Sequence, residues 1–537
     1  MRVGRAARIA GVAIPVGFLA LFFGWPLGAI FAHSLRAGAL VDVATDPFLR
    51  RVAWFTLWQA VLSTILTLVA GLPAAYVVAR YEFPGRRLFR AFVTVPFVLP
   101  TVVVATAFLA LLGSGGPLSF LHWRPGVAPM LIAHVFFNVA VVVRTVGGFW
   151  ANLDPRREEA ARMLGASRRR AFLHVTLPLL APSIIAAASI VFLFTFTSFG
   201  VALLLAGPAH ATLEVEIYRQ AIDVPDLQTA AALALVQIVA VLAVVFALAR
   251  AQERRAVAQR LVGAADAARR PRGRERVVVG GILGCTILFL GTPLAVLVWR
   301  SLHAGGRWSI GSYRALGTSA STSTLFVSPW AAVRNSVEFA AIATAIALVV
   351  GGLASAAIAA RPGRATRTMD AFLMLPLGTS AVTVGFGFLL ASERAPRGIA
   401  TSPLLVPIAH AVVAVPFVVR AVVPVLRSID PRLRDAATML GAGPRRVWRE
   451  VDLPIVARAF AVAAGFCAAV SLGEFGATLF IARPDWPTVP IAIQRFLGKP
   501  GQIYFDQALA MSVILMVLNG LVIFAIERVR VRELGEL

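Results

Sequence analysis

Two segments of the chain carry the same arrangement of charged, small and turn-forming residues. One reads EEAARMLGASRRRAFLHVTLPLL from Glu158, and the other reads RDAATMLGAGPRRVWREVDLPIV from Arg434. Each places an acid and two alanines ahead of a glycine: Glu159, Ala160, Ala161 and Gly165 in the first, Asp435, Ala436, Ala437 and Gly441 in the second. A short helix with a small apolar face and charged flanks suits a groove on another protein. These residues therefore predict that each segment binds another protein.

The residues around each acid predict two short helices joined at the glycine. Aspartate is favoured as a helix N-cap, proline at the first helical position and glycine after the last turn, and a later proline should end the second helix. These residues are Asp154, Pro155, Gly165, Ser167 and Pro178 in the first copy, and Asp430, Pro431, Gly441, Pro444 and Pro454 in the second. One copy alone is as well explained by an amphipathic loop on the lipid surface. Two copies at matched positions favour docking.

A second group of residues lies inside apolar segments: Ser198, Phe199, Glu474 and Phe475. A carboxylate in a membrane costs roughly 3 kcal/mol unless it faces protein or water, so Glu474 in SLGEFGATLFIA marks a candidate substrate pathway. Ser198 in TSFG is its counterpart. Two interpretations stay open for Glu474, a structural or gating role and direct contact with the substrate.

We expect no catalytic residue, no metal site and no cofactor bound by this chain. Its single Gly-Lys pair, at Gly498, is followed by proline and does not form a phosphate-binding loop. Cys285 and Cys467 both fall in apolar segments, which argues against a disulfide framework. His134 and His410 occupy matched positions, where a hydrogen-bonded packing role is favoured over a ligand role.

The elements that position these residues are membrane spans. The 537-residue chain is 59% hydrophobic with a mean hydropathy of +0.81, which excludes an ordinary water-soluble protein. Twelve apolar runs are long enough to cross a bilayer as helices and too long for barrel strands. They lie near 9–32, 54–79, 91–113, 128–148, 184–206, 228–249, 277–299, 335–360, 370–391, 403–425, 459–482 and 506–527. The first is interpreted as a retained span rather than a signal peptide.

The distribution of basic residues predicts the orientation. Arg and Lys are in excess in the loops that include 149–183 and 426–458, so these loops and both termini are expected to be cytoplasmic. The same residues account for the net charge of +25 as membrane-surface anchors to anionic lipid. We therefore expect no nucleic-acid partner.

The chain is an internal repeat. The two acidic segments are 276 residues apart, and IAHVFFNVAVVVRTV from Ile132 matches IAHAVVAVPFVVRAV from Ile408 at the same shift. Each half holds six predicted spans, so the halves should be parallel, with a pathway between them. We expect an all-α membrane protein with a first domain over 1–250, a basic cytoplasmic linker over 251–276 and a second domain over 277–537.

Both acidic segments fit the pattern E-A-A-x3-G-x9-I-x-L-P, and in this the chain resembles permease subunits of type I ATP-binding-cassette importers. The matching residues continue from the glycines with Val175, Leu177 and Pro178, and with Val451, Leu453 and Pro454. The departures are Asp435 in place of Glu and Val in place of Ile in both copies.

The resemblance implies that each segment is a coupling helix docked on one of two copies of an ATPase subunit. ATP and magnesium would bind to that partner, so this chain would not be an enzyme. A solute-binding protein outside a bacterial inner membrane would deliver the substrate.

The substrate is less well specified than the architecture. Fusion of two permease domains resembles the thiamine and iron(III) importers, and GPAHATLEVEIYRQAI after the fifth span favours the thiamine type. The favoured solute is thiamine or its phosphates, and iron(III) is the alternative. An ion-coupled transporter with two six-span halves would also have twelve spans. The two basic loops would have no evident function in such a transporter.

Overall fold

Long apolar helices make up most of the described chain. The computed structural model describes residues 5–35, 38–255, 269–304, 307–317, 324–360 and 363–531. Ten helices there are long and apolar enough to cross a membrane, and two bent helix pairs bring the number to twelve if each pair is one span. In chain order the spans are α1 Gly11–Ser34, α2 Pro47–Arg80, α3 Arg86–Val98 with Thr101–Leu112, α4 Val127–Ala151, α5 Arg168–Phe196, α6 Leu227–Gln252, α7 Arg274–Ser301, α8 Pro329–Ala360, α9 Thr366–Gly378 with Ala381–Ser392, α10 Leu405–Ser428, α11 Arg445–Gly473 and α12 Gln502–Ile526.

Shorter elements connect the spans. In the first half they are helices Ala39–Thr45, Arg156–Met163, Gly200–Leu205 and Leu213–Tyr218, with a 3-10 turn at Ser119–Leu121. In the second half they are helices Gly311–Arg314, Arg397–Ala400, Pro431–Met439, Gly476–Ile481 and Val489–Leu497, with a 3-10 turn at Ala315–Gly317. A two-stranded antiparallel ribbon pairs His303–Ala304 with Arg307–Trp308. The prediction of an all-α membrane protein with about twelve spans is confirmed.

The third and ninth predicted spans, 91–113 and 370–391, are not straight helices. The two segments of α3 meet at 99° and those of α9 at 98°. In α3, Leu99 precedes Pro100 and is extended, with φ −69° and ψ 143°, because proline disfavours a helical conformation in the residue before it. In α9, Ser380 is extended and its hydroxyl caps the second segment by accepting from the Thr383 amide at 3.0 Å.

The fifth and eleventh predicted spans begin earlier and end earlier than expected. Their helices stop at Phe196 and Gly473, so the predicted ends at 206 and 482 are wrong. At the other end, Pro178 and Pro454 lie inside continuous helices and do not end a separate short one, which corrects that prediction too. A π-helical turn, Phe172–Thr176 or Trp448–Asp452, lies just before each proline. Its extra residue accommodates the proline ring and the missing N–H.

Matched close contacts confirm the repeat in three dimensions. A Cβ placed on Gly71 in α2 would lie 2.7 Å from Val142 Cβ in α4. A Cβ on Gly351 in α8 would lie 2.6 Å from Val418 Cβ in α10. In both halves the glycine therefore lets two spans approach at the same place.

The first span of each half packs on the other half. Phe23 of α1 belongs to a buried cluster with α8 and α10, and a Cβ on Gly387 in α9 would lie 3.0 Å from Pro26. Arg300 of α7 donates from Nη1 to the Ala110 carbonyl of α3 at 2.9 Å. The two halves are therefore interlocked.

The predicted linker lies partly outside the described residues, which omit 256–268. Where the chain resumes, the Arg269 amide donates to the Arg80 carbonyl at 3.0 Å, and the Arg269 carbonyl accepts from the Glu82 amide at 3.0 Å. A hydrogen bond to Glu275 raises the pKa of the Arg269 guanidinium. The end of the linker is thus held against the end of α2.

Candidate functional site

Both predicted loop helices are present, and aspartate caps each of them. Asp154 Oδ1 accepts from the Arg156 amide at 3.0 Å, ahead of the helix Arg156–Met163. Asp430 Oδ1 accepts from the Arg432 amide at 2.9 Å at the start of the helix Pro431–Met439. The two capping predictions are confirmed.

The two glycines end these helices in a conformation that other residues seldom adopt. Gly165 has φ +89° and Gly441 has φ +81°. In each copy the amide after the glycine donates to the carbonyl of the second alanine of the pattern, at 3.1 and 3.0 Å. This is the bonding of a Schellman C-cap. A Cβ at either glycine would meet nothing within 4 Å, so the requirement for glycine is in the backbone alone.

The tips of both loop helices expose apolar side chains. Met163, Leu164, Met439 and Leu440 are 88–90% exposed. The acid and first alanine of each pattern, Glu159 with Ala160 and Asp435 with Ala436, are exposed on the same helices, while Ala161 and Ala437 are half-buried. These tips lie outside the spans, where water would otherwise contact them. Their apolar surface is available to another protein.

A side-chain bond braces each loop helix to the base of the following span, but the two braces differ in chemistry. In the first copy the Thr176 hydroxyl donates to Glu158 Oε2 at 2.7 Å. In the second, at the matching positions, Arg434 Nε donates to Asp452 Oδ1 at 2.7 Å, and the Asp452 side chain is 0% exposed. Each loop helix is therefore attached directly to α5 or α11.

The two halves meet at a pair of aromatic rings. Phe199 and Phe475 are both buried, and their ring centroids lie 5.3 Å apart at an interplanar angle of 27°. The two residues are 276 positions apart, the shift that relates the halves. Each ring therefore meets its own counterpart, which places the pair on the axis that relates the halves. The Tyr218 ring lies on one side of the pair, with its centroid 5.8 Å from that of Phe199 and 5.9 Å from that of Phe480.

The bends in α3 and α9 and the ends of α5 and α11 lie close to this pair. A Cβ on Gly200, after the end of α5, would lie 2.5 Å from Thr101 Oγ1 at the break in α3. A Cβ on Gly476 would lie 3.0 Å from Val382 Cγ2, beside the break in α9. Several helix ends are thus placed around the aromatic contact, where a pathway between the halves would run.

The Glu474 carboxylate is hydrogen-bonded within the protein. Its Oε1 accepts from the Ala477 amide at 2.8 Å and its Oε2 from the Thr478 amide at 2.9 Å, so it caps the helix Gly476–Ile481. His410 Nε2 lies 3.2 Å from Oε2. Of the two interpretations of Glu474, this arrangement favours the structural or gating one.

The matched histidines are hydrogen-bonded inside the protein. His134 Nε2 lies 2.8 Å from Ser198 Oγ, and His134 Nδ1 lies 3.0 Å from Ser63 Oγ. His410 Nδ1 lies 2.7 Å from Ser471 Oγ. Within the described ranges, no group of three His, Cys, Asp or Glu side chains is placed to hold a metal ion. These hydrogen bonds favour the packing interpretation of both histidines.

Two buried acids near the aromatic pair are not among the predicted site residues. Glu214 and Glu216 lie on the short helix Leu213–Tyr218, and both are buried. The signal was present in TLEVEIY, where two carboxylates stand in an apolar segment between spans. The segment lies between predicted spans, where a carboxylate is not by itself evidence of a pathway.

The fold of the described residues is that of a membrane permease. Ten to twelve candidate spans form two interlocked halves that meet at an aromatic contact, and each half carries a short helix with exposed apolar side chains. The family model described as "Binding-protein-dependent transport system inner membrane component" matches residues 67–257. The sulfate transport system permease protein of Salmonella typhimurium is 33% identical over 46% of this chain and 92% of its own length. The chain therefore belongs to the family of binding-protein-dependent transport system inner membrane components, and it is the permease of an ATP-binding-cassette importer.

Relatives that match almost the whole chain are also known. The thiamine transport system permease protein of Brucella abortus is 27% identical over 91% of this chain and 90% of its own length. The thiamine transport system permease protein of Escherichia coli is 25% identical over 90% of each chain. This protein is thus a multi-pass component of the inner membrane and works with a binding protein.

Proposed function

We propose that this chain carries thiamine into the cytoplasm from a binding protein outside the membrane. The observation that carries the proposal is the extent of similarity to thiamine permeases, which covers nine-tenths of the chain in both halves, whereas the sulfate permease matches only 46% of it. Iron(III) is the alternative cargo for the same architecture.

Each loop helix, in this proposal, docks on one copy of an ATPase subunit. Glu159, Ala160, Ala161 and Gly165 would lie at one contact, and Asp435, Ala436, Ala437 and Gly441 at the other. The exposed methionine and leucine at each tip supply apolar area to bury, and the acids supply charge for specificity. ATP and magnesium belong to the ATPase pair, and this chain contributes no hydrolytic residue. The excess of basic residues beside the loops supports a cytoplasmic position for the loops and for both termini.

A continuous helix connects each docking loop with the aromatic pair. The helix α5 runs for 29 residues from Arg168 to Phe196, and α11 runs for 29 residues from Arg445 to Gly473. At 1.5 Å per residue each is about 44 Å long. Because the braces attach each loop to the base of such a helix, closure of the ATPase pair would displace both helices and the rings that follow them.

The aromatic pair acts as the gate in this mechanism. Phe199 and Phe475 block the axis between the halves when stacked, and they would separate when α5 and α11 move apart. Ser198 and Glu474 hold the two rings in place, through His134 and His410 respectively. The stack itself contributes only about 0.5–1.5 kcal/mol beyond area burial, which a conformational change driven by ATP can overcome.

The first experiment is calorimetry on the partner binding protein with thiamine, thiamine phosphates and ferric ion. Submicromolar thiamine binding, followed by ATP-dependent thiamine uptake in proteoliposomes holding the whole importer, is the expected result. Ferric binding with no thiamine signal would assign iron(III) as the cargo. Uptake that needs an ion gradient and no ATP would assign the chain to the ion-coupled transporters.

A further inference from the structure

Two matched helices beside the aromatic pair are anchored in the same way. The helices Leu213–Tyr218 and Val489–Leu497 start 276 residues apart. The first amide of the first helix donates to Thr56 Oγ1 in α2 at 2.9 Å. The first amide of the second donates to Ser336 Oγ in α8 at 2.8 Å. The position and anchoring of these helices therefore belong to the repeat.

Only the first of the two helices carries acids. Glu214 and Glu216 correspond to Pro490 and Ala492 in the second half. Because the second helix forms with the same anchor and without any carboxylate, the fold does not require these acids. A buried carboxylate lowers stability unless it is compensated, so an acid without a charged partner here indicates a role outside folding.

The two acids differ in how they are compensated. Glu216 Oε1 accepts from Gln220 Nε2 at 2.8 Å, and its Oε2 lies 3.9 Å from Arg219 Nη1. Glu214 Oε1 accepts from Gln237 Nε2, and its Oε2, like that of Glu216, has no hydrogen-bond partner. The carbonyl oxygen of Gln237 is also unpartnered. Within the described residues no basic side chain forms an ion pair with Glu214, so a fully buried acceptor group is left without a cation.

Glu214 faces the boundary between the halves. Glu214 and Tyr218 are four residues apart and share one face of their helix. On that face the Tyr218 ring packs against Phe199, the ring stacked on Phe475. The helix that carries Glu214 packs against Ala381–Ser392, the second segment of α9 in the other half. Glu214 thus lies beside the gate, at the boundary between the halves.

We infer that Glu214 is the residue that recognises the positive charge of the transported molecule, and that this molecule is a flat organic cation. The inference rests on thiamine transport as the proposed function. The thiazolium ring of thiamine carries a permanent positive charge and no N–H group, so it needs a carboxylate for charge and aromatic faces for contact. The Gln237 oxygen can accept from the amino group of the second ring. A phosphate group would be repelled by Glu214, which favours thiamine over its phosphates.

The test uses the whole importer, with its ATPase and binding protein, reconstituted in proteoliposomes at equal amounts of assembled complex. Glu214→Gln keeps the shape and removes the charge, Glu214→Asp keeps the charge, and Glu216→Gln is the matched control for loss of a nearby buried acid. Uptake is measured for thiamine and for an analogue whose thiazolium is replaced by a neutral ring, after calorimetry has shown that the binding protein takes the analogue.

Glu214→Gln should lower kcat/KM for thiamine uptake at least tenfold and that for the neutral analogue less than twofold. Glu214→Asp should recover thiamine uptake to within threefold of the unmodified protein, and Glu216→Gln should stay within twofold. Equal losses for both compounds, an unchanged thiamine rate in Glu214→Gln, or no recovery with aspartate would overturn the inference. If the binding protein does not bind the analogue, the inference stands or falls on whether Glu214→Asp recovers thiamine uptake. Absence of ATP-dependent thiamine uptake by the unmodified importer is a separate result, and it would overturn the proposed function first.

Discussion

Replacement of Arg434 by alanine would leave the buried Asp452 carboxylate without its partner. The pair joins Arg434 Nε to Asp452 Oδ1 at 2.7 Å, with side-chain exposures of 27% and 0%. Removal of one member of a buried pair costs about 3–5 kcal/mol. Because the Arg434 side chain is partly exposed, water can replace some of the lost interaction, and we expect about 3 kcal/mol. This corresponds to roughly a hundredfold change in the equilibrium that keeps the loop helix in place.

Amide hydrogen exchange of residues 432–439 measures that equilibrium directly. Arg434→Ala should increase the exchange rate of this helix roughly a hundredfold and should reduce ATP-driven uptake. The matched variant in the first copy, Thr176→Val, removes one bond to the half-buried Glu158 and should cost only about 1 kcal/mol. The double variant Arg434→Ala with Asp452→Ala leaves no unpaired charge and should exchange more slowly than Arg434→Ala alone. Unchanged exchange in Arg434→Ala, or a double variant that exchanges faster, would refute the brace.

Three further predictions concern the docking loop and the gate. Gly165→Leu forces a side chain into a positive-φ position at about 1–2 kcal/mol, so uptake per ATP hydrolysed should fall while the protein stays in the membrane. Leu164→Ser removes an exposed apolar contact and should weaken co-purification with the ATPase, whereas Leu121→Ser, at a 3-10 turn, should not. Phe199→Ala opens the aromatic pair and should raise ATP-independent thiamine leakage from loaded vesicles, with lipid-exposed Phe246→Ala as the control. Unchanged uptake per ATP hydrolysed would contradict the role of Gly165. Unchanged co-purification would contradict that of Leu164, and unchanged leakage that of Phe199.

The spans and the two loop helices could be predicted because their signals are local. A bilayer demands about 20 apolar residues for each helix, and the caps at Asp154 and Asp430 depend on neighbours two residues away. The bend in α3 also had a local signal, since Pro100 restricts Leu99. The bend in α9 had only the weaker signal of a capping residue at Ser380, which hydropathy does not register.

Contacts between the halves could not be predicted in this way. That Phe199 stacks on Phe475 follows from the direction of the axis that relates the halves, and the sequence repeat does not specify that direction. The compensation of Glu474 by two backbone amides depends on the break in the helix just after it. Whether a buried carboxylate keeps one oxygen without a hydrogen-bond partner, as in Glu214, or has both oxygens bonded, as in Glu474, is therefore decided by tertiary structure.

The packing of α1 on the second half sets an order of events during synthesis. Phe23 reaches its neighbours around Ala347 only after more than 300 further residues have been made. At typical bacterial translation rates this takes about 15–65 s, during which the face of α1 that will be buried is covered by lipid or insertion machinery. The N-terminal half therefore cannot finish folding before the C-terminal half has entered the bilayer. Because the two halves are joined in one polypeptide, the C-terminal half always follows the N-terminal half, at the same position in the membrane and in equal number.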